Sequence, residues 1–525
     1  MPEPTKALTL RGEITLEDAM EKEENMLLRL QWPRDRVDFL NYIYRSRSQI
    51  KGIVFHHLGL PAHYKFALYP LDDWLHGSFN FCIPVGVDYP SGRRRFMLRC
   101  PLPYKLGQAV EEKLRCEVAT FEYIRQHCPE VPIPYLWGVG LPDGECFTPI
   151  KQLPLFRRWL EYLRRACLWL LRRPLPCAFT RHPCPYTLKS GYLLMEYIEE
   201  SKGKMLAFTW SEAQKDEELR RNFFKSLSRV LLSLGRAPLP RIASFTMAND
   251  GVLSLTNRPL TLRLPHLENQ GIPTDIPRDL MYVTVDSYLA DILHIHDSRL
   301  RHQPNSVSSK YDASGQMAVL TMMRALQLTR RDLRHGPFVF QLTDLSTCNI
   351  FVDDKCNITA LVDLEWGCSL PVEMVCPPYW LSSECISIGD AEDVERFNTM
   401  RLEFMDVFEH EEQSMYKCDT SNAHSRTMIM KKAWEMGTFW YLNSLVDPNG
   451  TYTMFVNHVQ PMFASDHYTN DDLAISFQQI VHKYWAMGAD DIIAAKVKDL
   501  EQYQQELPTA FENAIHIPPE EKTQS

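Results

Sequence analysis

Two kinds of hydrophobic pattern divide the 525-residue chain and predict an α+β protein. The segment from Arg94 to Pro103 alternates apolar and polar residues in its centre, as a strand does. From Val110 to Cys128 the apolar residues recur at helical spacing, as they also do from Glu217 to Leu234. Further helices are predicted at 285–296, 316–328, 389–412 and 475–507, with a hairpin at 242–255. The pattern favours a strand-rich N-terminal part and a larger, mainly helical C-terminal part.

One hairpin-like segment carries side chains suited to chemistry. Asp344 and Asn349 lie five positions apart, the apolar strand Ile350–Val352 follows them, and a second apolar strand ends at Asp363. Carboxylate and amide oxygens are the ligands that Mg²⁺ prefers, and a carboxylate can orient or deprotonate an acceptor hydroxyl. The same pattern also describes an ordinary hairpin in which Asp344 and Asn349 form turns. Both interpretations are open at this point.

The segment from Phe338 to Pro371 resembles the catalytic and metal-binding loops of the aminoglycoside phosphotransferase family, in a form common among filamentous fungi. Asp344, Asn349 and Asp363 match the family pattern, whereas Leu342 replaces its loop-supporting His. The resemblance implies an α+β, two-lobed, protein-kinase-like fold that uses ATP and Mg²⁺. Its N-terminal lobe would hold an antiparallel sheet and one main helix, and its larger C-terminal lobe would be mainly helical. It also implies roles, with Asp344 as the base or orienting group and with Asn349 and Asp363 as metal ligands.

Upstream features follow the order that such a chain requires. The turn at Gly77, Ser78 and Phe79 resembles the family's phosphate-covering loop. Arg99 stands where the family has a basic residue that grips the phosphates, and Glu117 stands where a helix Glu pairs with that residue. Each feature also has a plain structural interpretation: a hairpin turn, a solvated Arg on an edge strand, and an exposed Glu on an amphipathic helix.

The run from Gly191 to Ile198 resembles the connection between the two lobes. Main-chain groups near Glu196 and Ile198 would bond the adenine edge there, so the resemblance assigns these two residues to the nucleotide site. The implied organisation is a helical extension (1–50), a nucleotide-binding lobe (51–198), a catalytic and substrate lobe (199–515) and a polar tail (516–525).

Composition excludes several classes of protein. The chain is 45% hydrophobic and 23% charged, as soluble globular proteins are, and no apolar run approaches the ~18 residues that span a bilayer. Its acidic N-terminus lacks the basic-then-apolar order of a secretion signal, so we expect a cytoplasmic protein. The 14 cysteines show no spacing that suits zinc, and we expect reduced thiols.

Residues 151–190 form a basic segment in an acidic chain. They include nine basic residues and one acidic residue, whereas the whole chain has a net charge of −9. Phe156, Trp159 and Leu163 recur at helical spacing with arginines between them. Such a helix could contact an anionic membrane surface or pack its apolar face on the protein body, and we favour packing. No recognition motif accompanies the charge, so we expect no nucleic-acid partner.

Two hypotheses of function follow from the sequence. The first is an ATP- and Mg²⁺-dependent kinase that phosphorylates a hydroxyl or amine of a small-molecule acceptor, and the two retained carboxylates and the Asn favour it. The second is a kinase-like protein that binds a nucleotide or metabolite without turnover. The altered pair Leu342-Thr343 and the sparse phosphate loop favour this second hypothesis. An acidic C-terminal lobe would suit a basic acceptor.

Overall fold

The computed structural model describes residues 6–8, 12–382, 391–416, 424–447, 450–466 and 471–514. The strands are β1 (Lys6–Leu8), β2 (Gly12–Ile14), β3 (Lys65–Leu68), β4 (Leu75–His76), β5 (Asn80–Tyr89), β6 (Gly92–Pro101), β7 (Leu136–Gly140), β8 (Cys146–Pro149), β9 (Phe179–Arg181), β10 (Tyr192–Glu196), β11 (Lys204–Met205), β12 (Ser244–Met247), β13 (Leu253–Asn257), β14 (Phe338–Leu342), β15 (Ile350–Val352), β16 (Ile358–Leu361) and β17 (Gly367–Pro371). The helices are α1 (Leu16–Glu21), α2 (Met26–Arg29), α3 (Trp32–Arg45), α4 (Arg47–Leu58), α5 (Pro103–Leu106), α6 (Val110–His127), α7 (Leu155–Leu170), α8 (Trp210–Ala213), α9 (Glu217–Leu234), α10 (Arg263–Asn269), α11 (Val285–His302), α12 (Lys310–Leu326), α13 (Ala391–Tyr416), α14 (Arg426–Glu435), α15 (Thr438–Val446), α16 (Thr451–Met454), α17 (Asp471–Val481) and α18 (Ala489–Asn513).

An antiparallel sheet forms the N-terminal lobe. Its strand order is β3-β5-β6-β10-β7-β8-β9, and β4 pairs with β5. The alternation predicted for β6 is confirmed, because Phe96, Leu98 and Cys100 are buried against α3 and α4. Helix α6 packs with the core on the other side of the sheet, around Val139 and Leu193. The lobe thus holds three helices on its sheet where the sequence predicted one main helix, since α3 and α4 contribute their apolar faces to the same core.

Residues 12–30 pack against the helix near the other end of the chain. Strand β2 and helices α1 and α2 share a small core with α18, built around Met26, Tyr503 and Leu507. The Met26 amide donates to the Tyr503 hydroxyl at 2.9 Å. This contact ties the N-terminal segment to the C-terminal lobe.

The C-terminal lobe is mainly helical and contains three small sheets among the described residues. Strands β12 and β13 form one, β14 and β17 form the second, and β11, β15 and β16 form the third, so that the segment with Asp344 and Asp363 lies on short strands. The helix predicted at 475–507 is two helices, α17 and α18, and Gly488 caps the start of α18 in the left-handed region with φ of 70°. The predicted helix at 389–412 corresponds to α13, although residues 389–390 and the tail at 516–525 lie outside the described residues.

These elements give the α+β, two-lobed, protein-kinase-like architecture that the sequence predicted, with an antiparallel sheet in the first lobe and a larger helical second lobe. The basic insertion forms α7, which lies along the chain between β8 and the edge strand β9. None of the helices in the described part of the chain is long and apolar enough to cross a membrane. The cysteines that the structure describes are all free thiols.

Candidate active site

Asp344 and Asn349 lie on one tight loop between β14 and β15. The Asn349 amide nitrogen Nδ2 donates to the Asp344 main-chain oxygen at 2.8 Å and to Asp344 Oδ2 at 3.3 Å. Because both partners are acceptors, they determine the orientation of the amide and leave Asn349 Oδ1 as the atom that can accept a bond or bind a cation. The loop therefore presents a carboxylate and an amide oxygen side by side, as the sequence predicted.

Asp363 is brought to this loop by β16. The Val362 amide donates to the Asn349 main-chain oxygen at 2.9 Å, and Asp363 follows directly. Asp363 adopts the left-handed conformation, with φ of 63° and ψ of 54°. Asp tolerates this region better than most residues with a Cβ, yet such positions still cost roughly 1–3 kcal/mol and cluster at functional sites. The structure holds Asp363 there at the point where the two strands converge.

The loop has a support that replaces the His of the family pattern. Leu342 ends β14 and pairs with Gly367, with its side chain against the core. Thr343 then makes two bonds to the Trp366 main-chain oxygen, from its amide at 3.1 Å and from its hydroxyl at 2.9 Å. On the other side, Trp380 Nε1 donates to the Leu345 main-chain oxygen at 2.8 Å. The altered pair Leu342-Thr343 is therefore compatible with a well-held loop.

Arg99 and Glu117 form a buried ion pair between the sheet and α6. Their side chains are 6% and 0% exposed. The Arg99 guanidinium also pairs with Asp363, and its NH2 group lies 2.7 Å from Glu365 Oε2. Arg99 is thus buried, not solvated on an edge strand, and it lies close to the loop that carries Asp344. Glu117 is also buried, not exposed on its helix. The pair links the N-terminal lobe to the strand end that carries Asp363.

Three residues of this cluster were missed by sequence reasoning. Lys113 Nζ lies 2.5 Å from Glu365 Oε2, 3.1 Å from Glu117 Oε2 and 2.8 Å from Asn80 Oδ1. Asn80 Nδ2 in turn donates to Glu365 Oε2 at 2.9 Å. Two signals were present in the sequence: Lys113 precedes Glu117 by one helical turn, and Glu365 lies two positions after Asp363.

The buried charges shift one another's titration. Burial and the nearby Glu365 carboxylate raise the pKa of Asp344 to about 6, although Asn349 and Arg99 oppose the shift. Burial also raises the pKa of Glu365, but Arg99 and Lys113 outweigh that effect and hold it below its usual range. Glu365 therefore stays ionised as a partner of the two cations. The pKa of Asp344 thus lies close to neutral pH, as the pKa of a general base should.

The predicted phosphate-covering turn lies beside this cluster. Gly77 and Ser78 are exposed at the tip of the β4–β5 hairpin, where the Gly77 amide donates to the Asn80 main-chain oxygen at 2.9 Å. Phe79 is buried and packs edge-on against Trp366, with ring centroids 5.4 Å apart. Among the three predicted residues, Gly77 and Ser78 are exposed and Phe79 is buried. Phe79 anchors the turn above the strand that follows Asp363.

Glu196 and Ile198 lie at the end of β10, where the chain leaves the sheet. The Glu196 amide donates to the Tyr135 main-chain oxygen at 2.8 Å, and its carboxylate accepts from the Tyr135 amide at 3.1 Å and pairs with Lys202. The Glu196 side chain is thus occupied within the protein. Ile198 is half-buried two residues further on.

A cavity of about 270 Å³ opens beside Asp344. Its wall is mostly apolar and aromatic, and its polar residues are Thr261, Thr343, Asp344, Arg263 and His296. The remaining lining residues are Leu262, Tyr288, Leu289, Ile292, Ile295, Leu370, Met374, Tyr379, Leu445 and Val446. Arg263 Nη2 lies 3.2 Å from Asp447 Oδ1, and burial lowers the pKa of His296 to about 4. Among the described lining residues, Asp344 is the sole carboxylate. The cavity therefore suits an apolar molecule whose reactive group meets Asp344.

The oxygen ligands offered by Asp344, Asn349 and Asp363 fit a hard divalent cation. These residues lie at two adjoining strand ends, and the chain turns in the left-handed conformation at Asp363. Mg²⁺ is bound in such sites by one or two carboxylates together with substrate phosphates. In the structure the cation facing Asp363 is Arg99.

A second polar cluster brings together His and Cys side chains whose spacing in the sequence does not suit zinc. His56 from α4, Cys146 from β8 and Cys184 beyond β9 place ligand atoms within 4.8 Å of one another. These residues are far apart in sequence, so no Cys or His spacing reveals them. Their grouping follows from the packing of α4 on the sheet edge.

No protein-family model and no curated protein sequence matches the chain. Similar solved structures include ethanolamine kinase from Plasmodium vivax, 12% identical over 83% of this chain and 85% of that chain, with a TM-score of 0.30. A type I macrolide 2′-phosphotransferase is 12% identical over 76% and 95% of the two chains, with a TM-score of 0.30. A spectinomycin phosphotransferase, solved with ADP and spectinomycin, is 11% identical over 74% and 93%, with a TM-score of 0.28. All three are small-molecule kinases or phosphotransferases, and likenesses at this level assign no substrate or cofactor to this chain.

Proposed function

We propose that this protein is an ATP- and Mg²⁺-dependent phosphotransferase that phosphorylates a hydroxyl or amine of a small-molecule acceptor. One observation carries the proposal: Asp344, Asn349 and Asp363 lie together beside the buried Arg99–Glu117 pair, and Asp344 also lines a cavity. An ordinary hairpin needs neither the left-handed Asp363 nor an ion pair reaching it from the other lobe. The resemblance of the motifs to the fungal form of the aminoglycoside phosphotransferase family supports the same proposal.

Each side chain has a distinct role in the proposed reaction. Asp344 faces the cavity and accepts a hydrogen bond, then the proton, from the acceptor group as it attacks the terminal phosphate. Asn349 and Asp363 would hold Mg²⁺, which offsets the charge of the phosphates when it is bound. Glu117, Glu365 and Lys113 keep the Arg99 guanidinium between the lobes, where it can contact the phosphates. The exposed turn at Gly77 and Ser78 would cover them.

The cavity narrows the class of acceptor. The described wall of this cavity offers one carboxylate, Asp344, and adds the cation Arg263, whose charge would repel a cationic acceptor. The proposed acceptor is a largely apolar molecule with one hydroxyl or amine near Asp344. The sequence left the acceptor open, and an acidic C-terminal lobe would have suited a basic one, but Asp344 is the sole acidic residue among the described residues that line this cavity.

A second candidate function is nucleotide or metabolite binding without turnover. The specific observation in its favour is the Arg99–Asp363 ion pair, which engages the proposed metal ligand with a protein cation. If Mg²⁺ cannot displace Arg99 from Asp363, the site holds a nucleotide poorly oriented for transfer. The two candidates differ in one measurable respect, since only the first requires the carboxylate of Asp344.

Ligand-induced thermal stabilisation tests nucleotide binding before any acceptor is identified. Unfolding is followed with ATP and with GTP, each with and without Mg²⁺, for the natural chain and for Asp344→Asn, Asp363→Asn and Asp354→Asn. Asp354 is 98% exposed on the same hairpin and serves as the matched control. We expect Mg²⁺-dependent stabilisation that survives in Asp344→Asn and Asp354→Asn but is lost in Asp363→Asn.

Transfer is then measured as a mass gain of one phosphate in a metabolite extract incubated with ATP and Mg²⁺. We expect transfer by the natural chain and by Asp354→Asn, and a loss of about 10³-fold or more in Asp344→Asn. Transfer that is unaffected in Asp344→Asn would contradict the kinase proposal. Nucleotide binding without any transfer would establish the second candidate.

A cytoplasmic location belongs to the same proposal. The free thiols of the described cysteines suit a reducing compartment.

A further inference from the structure

Helix α7 exposes its apolar residues instead of burying them. Phe156 and Trp159 are 74% and 72% exposed, and none of the residues of the helix is buried. The exposed apolar and aromatic side chains of α7 and its C-terminal end are Leu155, Phe156, Trp159, Leu160, Tyr162, Leu163, Trp169, Leu170 and Leu171. Single exposed apolar residues are common on protein surfaces, but a contiguous group of this kind marks an interaction surface.

The arginines on the opposite side of α7 face the protein. Arg158 donates to the main-chain oxygen of Leu153 at 3.1 Å, Arg164 to that of Asp250 at 3.1 Å, and Arg165 to that of Cys177 at 2.7 Å. These three bonds orient the helix on the lobe. An amphipathic helix on a soluble protein normally turns its apolar side inward. Here the guanidinium groups point inward, so the packing favoured from the sequence is not the arrangement in the structure.

Exposed positive charges frame the apolar face. Arg157 lies at the start of the helix, Arg172 and Arg173 follow its last turn, and all three are exposed. Residues 151–190 carry nine basic side chains against one acid, in a chain whose net charge is −9. A surface that is both apolar and flanked by arginines is complementary to anionic lipid headgroups above acyl chains. Trp159, with its amphipathic ring, is a residue type enriched at that depth of a bilayer.

We propose that α7 docks on the surface of an anionic lipid bilayer and lies in the interfacial plane, with its apolar face inserted and its flanking arginines on the headgroups. The proposal does not depend on the reaction proposed above. A second copy of the chain is a poorer occupant, because pairing two α7 faces would bring two strongly basic segments together. The bilayer supplies both the apolar phase and the opposite charge.

Vesicle co-sedimentation of the full chain tests this surface, with vesicles of phosphatidylcholine alone and of phosphatidylcholine with phosphatidylserine. One variant, Phe156→Gln with Trp159→Gln and Leu163→Gln, replaces three large side chains of the apolar face by Gln, which has a good helix propensity. A second, Arg157→Gln with Arg172→Gln and Arg173→Gln, removes flanking charge without touching the three inward arginines. The matched control changes three exposed residues elsewhere, Phe208→Gln with Tyr484→Gln and Met487→Gln.

We expect the natural chain and the control to bind the phosphatidylserine vesicles, with binding that weakens as salt is added. The apolar-face variant should bind about 100-fold more weakly or worse, since three large side chains no longer leave water. The charge variant should lose the preference for phosphatidylserine. Failure of the natural chain to bind, equal loss in the control variant, or concentration-dependent dimers abolished by the apolar-face variant would each overturn the proposal.

A separate observation carries a second inference, about the cluster of His56, Cys146 and Cys184. His56 Nε2 lies 3.1 Å from the His182 main-chain oxygen. A carbonyl oxygen only accepts, so Nε2 carries the proton and Nδ1 keeps the lone pair. Metal-bound histidines commonly donate from one ring nitrogen to a carbonyl oxygen, which fixes the tautomer so that the other ring nitrogen carries the lone pair for the metal. The two thiols add the soft ligands that zinc binds as thiolates.

We infer that these three residues bind a zinc-class divalent ion, with a water molecule as the fourth ligand on the half-buried Cys184 side. Binding links α4 to the β8–β9 edge and releases the two thiol protons to solvent. Co²⁺ added to the chain stripped of metal tests the geometry, because tetrahedral thiolate ligation gives an intense visible spectrum. Cys146→Ser with Cys184→Ser is the test variant. Cys167→Ser with Cys348→Ser, which changes the two thiols that are exposed among the described cysteines, is the control.

We expect one zinc ion per chain by elemental analysis, the thiolate spectrum with Co²⁺, and a higher unfolding temperature with Zn²⁺, in the natural chain and in the control. All three should be lost in Cys146→Ser with Cys184→Ser. Equal metal binding by the two variants, no metal in the natural chain, or a Cys146–Cys184 disulfide in its place would overturn the inference.

Discussion

The cluster around Arg99 and the surface of helix α7 distribute charged and apolar side chains in opposite ways. Around Arg99, two cations and two carboxylates lie in the interior, and each of the four has a partner of opposite charge within that cluster. On α7, large apolar side chains lie in water and the arginines bond the protein body. Both regions depart from the ordinary partition of residues between core and surface.

The two regions differ in what offsets the cost of their unusual placement of charged and apolar side chains. The charges of the interior cluster are balanced by one another, so the cluster is complete inside the chain and its contribution is to stability and position. The apolar face of α7 has no covering among the described residues. It therefore gains free energy only from something outside the chain. Substitutions in the cluster around Arg99 should therefore change the stability of the fold. Substitutions on α7 should leave stability nearly unchanged and weaken an interaction with a partner.

Lys113→Met should have the largest effect on the fold. It leaves the buried carboxylates of Glu117 and Glu365 short of a cation, which we expect to lower the free energy of unfolding by about 3–5 kcal/mol. Urea unfolding measures the change. Lys215→Met, which breaks an exposed pair with Glu212, is the control and should change it by about 0.5 kcal/mol or less. Equal effects of the two substitutions would show that the buried cluster is not self-compensating.

Glu373→Gln tests a buried carboxyl that, unlike Glu117 and Glu365, is not paired with a buried Lys and Arg in the described part of the chain. Burial raises the pKa of Glu373 from 4.5 to about 7, despite the Arg330 amide that donates to it at 3.1 Å. Because the folded pKa lies above the unfolded one, the natural chain loses stability as the pH rises from about 4.5 to about 7. Glu373→Gln should therefore be more stable by about 1–3 kcal/mol near neutral pH, with no gain below about pH 4.5.

Urea unfolding at the two pH values measures this prediction. Glu365→Gln is the opposite case, because the pKa of Glu365 is held low by Arg99 and Lys113, and it should destabilise the protein near neutral pH. A destabilised Glu373→Gln at every pH would contradict the assignment of an uncompensated charge.

Thr343→Val tests the loop support that stands in for the His of the family pattern. It removes the hydroxyl bond to the Trp366 main-chain oxygen, which we expect to cost about 0.5–1.5 kcal/mol of stability. Under the proposed function, transfer should slow while nucleotide-induced stabilisation is retained, because the loop carries Asp344. Thr399→Val, on the exposed side of α13, is the control. If Thr343→Val transferred phosphate at the natural rate, the Thr343 hydroxyl bond would have no role in positioning Asp344.

The smallest effect on the fold is expected on α7. Phe156→Gln with Trp159→Gln and Leu163→Gln should change the free energy of unfolding by no more than about 0.5 kcal/mol per site, because the side chains are already exposed. Chemical unfolding without vesicles measures this change. A loss comparable to that of Lys113→Met would show that the apolar face is buried in solution, which would remove the contrast between the two regions.

Local sequence was sufficient for the parts of the site that lie close together along the chain. Asp344, Asn349 and Asp363 were predicted as one group, because a loop and two short strands bring them together whatever surrounds them. Arg99 and Glu117 were predicted through their places in a family pattern. Lys113 was missed because an i,i+4 pair on a helix is usually a surface feature, and only the core around it shows that both members are buried.

Some features were invisible because they depend on which surfaces meet. The zinc-like group joins His56 to Cys146 and Cys184 across three elements, and no spacing along the chain records that contact. The amphipathic pattern of α7 was recognised, but periodicity states only that one side of a helix is apolar. It does not state whether that side faces the protein or the solvent.

The sequence by itself determined the alternation of strands and helices, the α+β class, the loop that unites Asp344 with Asn349, and the basic character of the insertion. These properties are local, since they depend on neighbours within a few turns or one hairpin. The tertiary structure decided that Arg99 pairs with Asp363, that an apolar cavity adjoins Asp344, and that α7 turns its arginines inward. Those outcomes depend on the relative placement of distant segments, which burial and charge pairing select only when the whole chain is folded.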